Sequence, residues 1–202
     1  MGVLASGRGT NLGALVEASR RPGYPAEVVA VASNRSFCPA LGLARELGLD
    51  AASFPLGEHQ GSAERRDQAI ARWLLDRGCS LLVLAGYDRI LTAPLLNAFP
   101  QRILNLHNSL LPAFAGTMAA VEQALAHGVK VTGCTVHLVD PEQVDGGPIV
   151  LQAPVEVRDD DTAETLLARI HEQEWRILPE AVRLLSLDRI RVEGRRVIRV
   201  ER

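Results

Sequence analysis

The sequence predicts an α/β fold: a mostly parallel, twisted sheet with helices on both faces, extended by antiparallel strands in the C-terminal half. Two observations lead there. Short apolar runs bounded by polar or turn residues alternate with stretches of helical spacing through the first half of the chain. In the second half, two extended runs are joined by a turn-rich segment. At 202 residues the expectation is a single domain spanning 1–202. With 47% hydrophobic and 23% charged residues, such a chain buries a sizeable core without disulfide or metal staples.

The elements follow in order. Residues 2–5, 27–32, 81–85 and 102–104 read as buried strands, being short apolar runs with turn residues at their ends. Residues 11–20, 39–47 and 62–77 read as helices; in the last, Ile70, Trp73, Leu74 and Arg77 share one face and Gly78 stops it. Strands alternating with helices imply βαβ units, and a parallel sheet places its ligand crevice beyond the carboxyl ends of its strands. Farther on come a helix near 119–127, a strand at 131–139, a turn-rich stretch at 140–147 and a strand at 148–153. A long helix is expected to start at Asp161, where Asp161 and Glu164 form a variant capping box, and to run to about 185 with Pro179 kinking it. Residues 189–200 alternate arginine with Ile and Val around Glu193-Gly194, the pattern of an edge hairpin guarded by charge.

Charge and cysteine usage exclude several function classes. A formal net charge of −2 argues against a dedicated nucleic-acid or membrane-surface binder. Cys38, Cys79 and Cys134 are odd in number and far apart, which suits a reducing compartment and offers neither a disulfide frame nor a zinc site. No apolar run has the length of a membrane span, and Met1 leads into Gly2-Val3-Leu4-Ala5 without a basic stretch. The expectation is a cytoplasmic protein with small-molecule partners, no metal, no nucleic acid and no membrane.

Candidate chemistry gathers at a few places. The first strand runs into Ser6-Gly7-Arg8-Gly9-Thr10-Asn11 and then a helix, so free backbone N–H groups and the positive dipole end invite a phosphate. A dinucleotide fingerprint fits less well, because Leu12 stands where its third glycine belongs and the second strand ends in Ser33-Asn34 instead of an acidic residue. A plain strand-to-helix turn capped by Thr10 or Asn11 fits this segment too. Asn105 and His107, two residues apart on a strand, point to one side at a carboxyl end. An amide donor beside an imidazole is what acyl transfer to an amine needs, although a structural histidine fits the pair equally. Asp145-Gly146-Gly147-Pro148 reads either as a hairpin turn or as a carboxylate held beside the crevice, able to raise the pKa of a nearby histidine. Glu174 lies between Ile170 and Ile177 on the apolar face of the last helix, which is costly unless it meets an arginine or a ligand amine. His137, inside a strand, reads as a packed or supporting histidine, and His59 as a loop residue.

Four segments together carry a resemblance: Ser6 to Asn11, Leu84-Ala85-Gly86-Tyr87-Asp88-Arg89-Ile90-Leu91, Asn105-Leu106-His107-Asn108-Ser109-Leu110-Leu111-Pro112, and Asp145-Gly146-Gly147-Pro148-Ile149-Val150-Leu151-Gln152. In this order and spacing, with Gln173-Glu174, the chain resembles the phosphoribosylglycinamide formyltransferase family over nearly its whole length. That family belongs to the wider folate-dependent formyltransferase superfamily. The resemblance implies a Rossmann-like formyltransferase fold and transfer of formyl from 10-formyltetrahydrofolate to the amine of glycinamide ribonucleotide in purine biosynthesis. It implies phosphate binding in the N-terminal half, with the folate pocket and catalysis toward the C-terminal half. By that reading Asn105, His107 and Asp145 are catalytic, Gly9, Thr10 and Asn11 take the substrate phosphate, and Glu174 meets the glycinamide amine. Asp88, Arg89, Ile90, Leu91, Asn105 and Asp140 line the folate site, and 10-formyltetrahydrofolate is a co-substrate with no metal beside it.

The chain departs from the family pattern at several points. Asn108 and Ala115 stand where prolines are usual, the segment after Gly116 and the 140–145 loop each look one residue longer, and Ala63 replaces an arginine directed at the folate tail, which Arg65 or Arg66 is placed to replace. Other acceptors are conceivable. Methionyl-tRNA formyltransferase normally carries a C-terminal tRNA domain and formyltetrahydrofolate hydrolase an N-terminal regulatory one, neither of which is expected here. A non-catalytic nucleotide-binding module and an NAD-dependent oxidoreductase are the readings from other classes.

Overall fold

A computed structural model describes residues 1–200, which fall into two units, the first Met1–Leu104 and the second from Asn105 onward. In the first unit, β1 (Gly2–Leu4), β2 (Ala30–Ser33), β3 (Asp50–Ser53) and β4 (Leu82–Leu84) alternate with α1 (Thr10–Ser19), α2 (Pro39–Glu46) and α3 (Ala63–Leu75). The strands run parallel in the order β3-β2-β1-β4, with Val3 of β1 opposite both Val31 and Val83. Every residue of β1, β2 and β4 is buried, which is why these strands read as unbroken apolar runs. Leu4, Leu12, Leu15, Ile70 and Leu74, all fully buried, belong to this unit's core. A short helix α4 (Ala93–Ala98) leads to β5 (Ile103–His107), beside which the Leu82 N–H donates to Arg102 O at 2.9 Å.

In the second unit the order is β5-β6-β7, which brings the main sheet to seven strands, mostly parallel. β6 (Val131–Leu138) pairs antiparallel with β7 (Ile149–Glu156), with an irregularity between Val136 and His137. α5 (Ala120–Ala126) precedes β6, and the long α6 (Ala163–Ser186) packs on β6 and β7 and buries Leu166, Ile170, Ile177 and Leu178. A separate antiparallel pair, β8 (Ile190–Glu193) and β9 (Arg196–Arg199), closes the described chain where the arginine-rich hairpin is expected.

Several elements differ from the sequence expectation. β3 and α4 lie in stretches that the sequence leaves unassigned: Asp50–Ser53 has no long apolar side chain, and the six-residue α4 shows barely one periodic turn. β2 starts at Ala30 instead of 27, while β7 runs three residues past 153 through Pro154. Proline is tolerated there because β7 is the last strand in its order. The capping box of α6 uses Thr162 and Thr165, not Asp161 and Glu164. Asp161 instead accepts from Arg158 N–H and binds Arg169, which holds its carboxyl well below the usual carboxylate range. His59 ends a 3-10 turn (Leu56–His59) and stacks on Phe54, so it is not a free loop residue. Cys38, Cys79 and Cys134 are free and buried.

Candidate active site

Two clusters carry the polar chemistry, one in each unit. In the first, the loops that follow β1, β2 and β4 are laced together. Ser6 N–H donates to Gly86 O at 3.0 Å, its hydroxyl donates to Asn34 Oδ1 at 2.6 Å, and that hydroxyl accepts from Asp88 N–H at 3.1 Å. Asn34 Nδ2 donates to Asp88 Oδ1 at 2.9 Å, and Arg35 pairs with Asp88 Oδ2. Burial works against ionisation of Asp88, but the bonds from Arg35, Asn34 and Ser6 outweigh it and keep its carboxyl below the ordinary value. All three loops lie at carboxyl ends of parallel strands, where a ligand crevice belongs.

The glycine turn in this lacework is not capped by Thr10 or Asn11. Gly9 is the N-cap, at φ 86°, and makes no side-chain cap. A Cβ there would sit 3.0 Å from Ala40 Cβ in a backbone conformation that side chains disfavour, so glycine is required and the first N–H groups of α1 stay uncovered by any capping side chain. Thr10 is exposed and Asn11 buried.

Of the expected folate-site residues in this unit, Asp88 spends its carboxylate on Asn34 and Arg35, Leu91 is buried, and Ile90 is 71% exposed. The Arg89 guanidinium is mostly exposed and lies 3.5 Å from Asp88 Oδ1. Asp88, Arg89 and Ile90, with Asn34, Leu56, Ala63 and Arg66, line a cavity of about 410 Å³, and Leu91 does not reach it. Arg65 is exposed, whereas Arg66 is buried beside Asp67, whose Oδ2 also accepts from the Thr92 N–H and hydroxyl.

In the second unit, Asp145 is the hub. Its Oδ2 accepts from the Gly116 N–H at 2.8 Å and faces His107 Nδ1 at 3.4 Å; its Oδ1 accepts from Asn105 Nδ2 at 3.1 Å and faces His137 Nε2 at 3.5 Å. Burial disfavours the charge of Asp145, but His137, the Gly116 N–H and the charge of His107 overcome it, and the carboxyl is held below its ordinary value. Asp145 itself has φ 52°, a conformation Asp tolerates better than most residues. The turn is fixed by Gly147, where a Cβ would lie 1.8 Å from Leu138 O.

Strand period brings Asn105 and His107 to this one point, as their spacing predicts. His107 Nε2 lies 2.8 Å from Phe114 O, and a carbonyl only accepts, so that nitrogen carries a proton. His137 Nδ1 likewise donates to Leu138 O, and its Nε2 lies 3.1 Å from Asn105 Nδ2 and 3.5 Å from Asp145 Oδ1. His137 thus lies buried against Asn105 and Asp145, the packed, supporting place read for it from sequence. The signal for it was available in the period of β6, since Thr135 and His137 share a face. Thr135 is fully buried; its Oγ1 accepts from Leu111 N–H and Gln152 Nε2 and donates to Ser109 O, anchoring the segment that follows His107.

Glu174 sits on α6 at 1% exposure, on the apolar face where its spacing puts it, and accepts from Asn108 Nδ2 at 2.6 Å. Asp140 lies apart from these bonds, its Oδ1 accepting from the Glu142 N–H. A polar carboxylate–imidazole–amide cluster of this kind supports an oxyanion and moves a proton at the end of one strand.

The sequence profile of the formyl transferase family matches residues 1–182. Phosphoribosylglycinamide formyltransferase of Mycobacterium tuberculosis (strain ATCC 25618 / H37Rv) is 45% identical over 193 residues, 96% of this chain and 87% of that protein. The trifunctional purine biosynthetic protein adenosine-3 of Gallus gallus is 40% identical over 190 residues, and the chain spans 19% of that protein's length. Among solved structures, glycinamide ribonucleotide transformylase 1 from Symbiobacterium toebii superposes with a TM-score of 0.95 at 48% identity, over 99% of this chain and 93% of that one.

Proposed function

Because the chain belongs to the formyl transferase family, we propose that it passes a formyl group from 10-formyltetrahydrofolate to the amine of glycinamide ribonucleotide, giving formylglycinamide ribonucleotide and tetrahydrofolate. The observation that carries the proposal is the convergence of Asn105, His107 and Asp145 within 3.1 to 3.4 Å at the end of β5. The amine attacks the formyl carbon, its C=O opens to an oxyanion, and the bond from that carbon to folate N10 then breaks. The proton lost by the amine ends on N10, so the step needs no oxidant or metal.

Asn105 turns one of its two amide hydrogens, which now face Asp145 and His137, toward the oxyanion. Removing one such donor typically costs about 10²–10³ in rate. His107 stabilises and protonates the intermediate through the Nε2 proton that Phe114 O holds in the free protein. Asp145 keeps its negative charge beside both imidazoles and relays the proton. Gly9, Thr10 and Asn11 take the ribonucleotide phosphate on the first N–H groups of α1, and Glu174 meets the glycinamide amine. Asp88, Arg89, Ile90, Leu91 and Asp140 serve the folate, Asp88 and Leu91 through their backbone since their side chains are committed or buried. We read the chain as a cytoplasmic enzyme of purine biosynthesis; no described helix is long and apolar enough to cross a membrane.

The test mixes purified protein with 10-formyltetrahydrofolate, with and without glycinamide ribonucleotide, and follows tetrahydrofolate release. Release that requires the ribonucleotide, with a formylated product, is expected. Release without it identifies a hydrolase, and no release with ribonucleotide-dependent thermal stabilisation identifies a binding module.

A further inference from the structure

We infer that Asn108 is a positioning residue, whose side-chain amide fixes the buried Glu174 carboxylate for the cationic or amine end of the acceptor substrate. The inference rests on the proposed role of Glu174. A carboxylate at 1% exposure on the apolar face of α6 is costly unless donors reach it. Asn108 Nδ2 donates to its Oε1 at 2.6 Å, while His171, one turn back on the same helix, stands 3.8 Å from Oε2. From β6, Cys134 also faces the carboxylate; burial foremost, with the charge of Glu174, pushes that thiol up to about 12.

The chemistry of the donor matters. An arginine or lysine in place of Asn108 would neutralise Glu174 and compete with an incoming amine, whereas a neutral amide holds the carboxylate in place and leaves its full charge for the ligand. Chain position adds a second point. Asn108 follows His107 directly, and the two side chains go to different partners, Asp145 and Glu174. One peptide step at the end of β5 therefore couples the imidazole proposed to handle the proton to the carboxylate proposed to hold the amine.

The experiment compares Asn108→Ala and the near-isosteric, donor-free Asn108→Leu with the full-length protein in steady-state formyl transfer. Loss of one hydrogen bond to a charged group corresponds to roughly ten- to hundredfold. KM for glycinamide ribonucleotide is expected to rise about tenfold or more in both variants, with kcat and KM for 10-formyltetrahydrofolate within about threefold of the parent. Thermal stabilisation by the ribonucleotide alone should weaken in parallel. An unchanged ribonucleotide KM overturns the inference, as does a matching loss in kcat and donor KM, or failure of both variants to fold, either of which makes the bond purely structural. Absence of ribonucleotide-dependent transfer in the unmodified protein would instead overturn the proposed function, so the two failures are separable.

Discussion

Replacing Asp145 with asparagine isolates the charge of the hub. Asparagine keeps the shape and tolerates the positive φ at this position, so the backbone is not strained further. The change removes the negative charge 3.4 Å from His107 Nδ1, and it turns one acceptor oxygen into an NH2 group facing the Gly116 N–H or the Asn105 amide. At an effective dielectric of about 20, a unit charge at that distance from a protonated ring is worth a gross ~5 kcal/mol. Single electrostatic contacts of this type usually express about 2.7–4 kcal/mol of it in the transition state, or 10²–10³ in rate. Asp145→Asn should therefore lower kcat by about 10²–10³, while KM for glycinamide ribonucleotide stays within about threefold. Tetrahydrofolate release at saturating substrates gives kcat, and ribonucleotide titration gives KM. A folded variant that loses less than tenfold in kcat, or whose KM moves as much as its kcat, refutes the account of Asp145 as the charge behind His107.

The same residue makes a pH prediction. Its folded pKa lies below the ordinary carboxylate value near ~3.9, so its contribution to stability is complete above that value and is lost as pH falls through the lower, folded one. Urea unfolding of parent and Asp145→Asn should show a stability gap at pH 5 that narrows steadily below about pH 4; a gap that widens in acid would reverse the assignment. His107→Ala should collapse turnover yet keep ribonucleotide-dependent thermal stabilisation, and equal loss of both would make His107 structural. Thr135→Val leaves the Leu111 N–H, the Gln152 amide and the Ser109 carbonyl without their buried partner. It should cost about 2 kcal/mol or more, lowering Tm by roughly 2–4 °C per kcal/mol, and a parent-like melt would show that the network is dispensable. Gly9→Ala must hold φ 86° against Ala40, at about 1–2 kcal/mol for the left-handed backbone alone, and should weaken ribonucleotide stabilisation as well; unchanged melting and unchanged binding would remove Gly9 from the proposed phosphate site.

Patterns with a local period were legible in the sequence alone. Alternation of apolar runs and helical stretches gives the βα order, the i, i+2 spacing gives Asn105 and His107 one side of β5, and the 3.6-residue repeat puts Glu174 on the buried face of α6. Each follows because backbone geometry fixes where neighbouring side chains point, whatever packs against them. Elements without an apolar period, β3 and α4, left too little local signal.

Partner identity is a different matter, because most of the bonds that tie these clusters together join residues 25 to 82 positions apart and no periodicity records which loop meets which. Tertiary structure decided that His137 joins Asn105 and Asp145, and that Asp88 spends its carboxylate on Asn34 and Arg35. It also turned the Glu174 whose burial the sequence flagged toward Asn108. The sequence determined which groups could do chemistry and on which face they stand; the close approach of distant backbone segments, made possible at Gly147 by the absence of a Cβ, decided which of them touch.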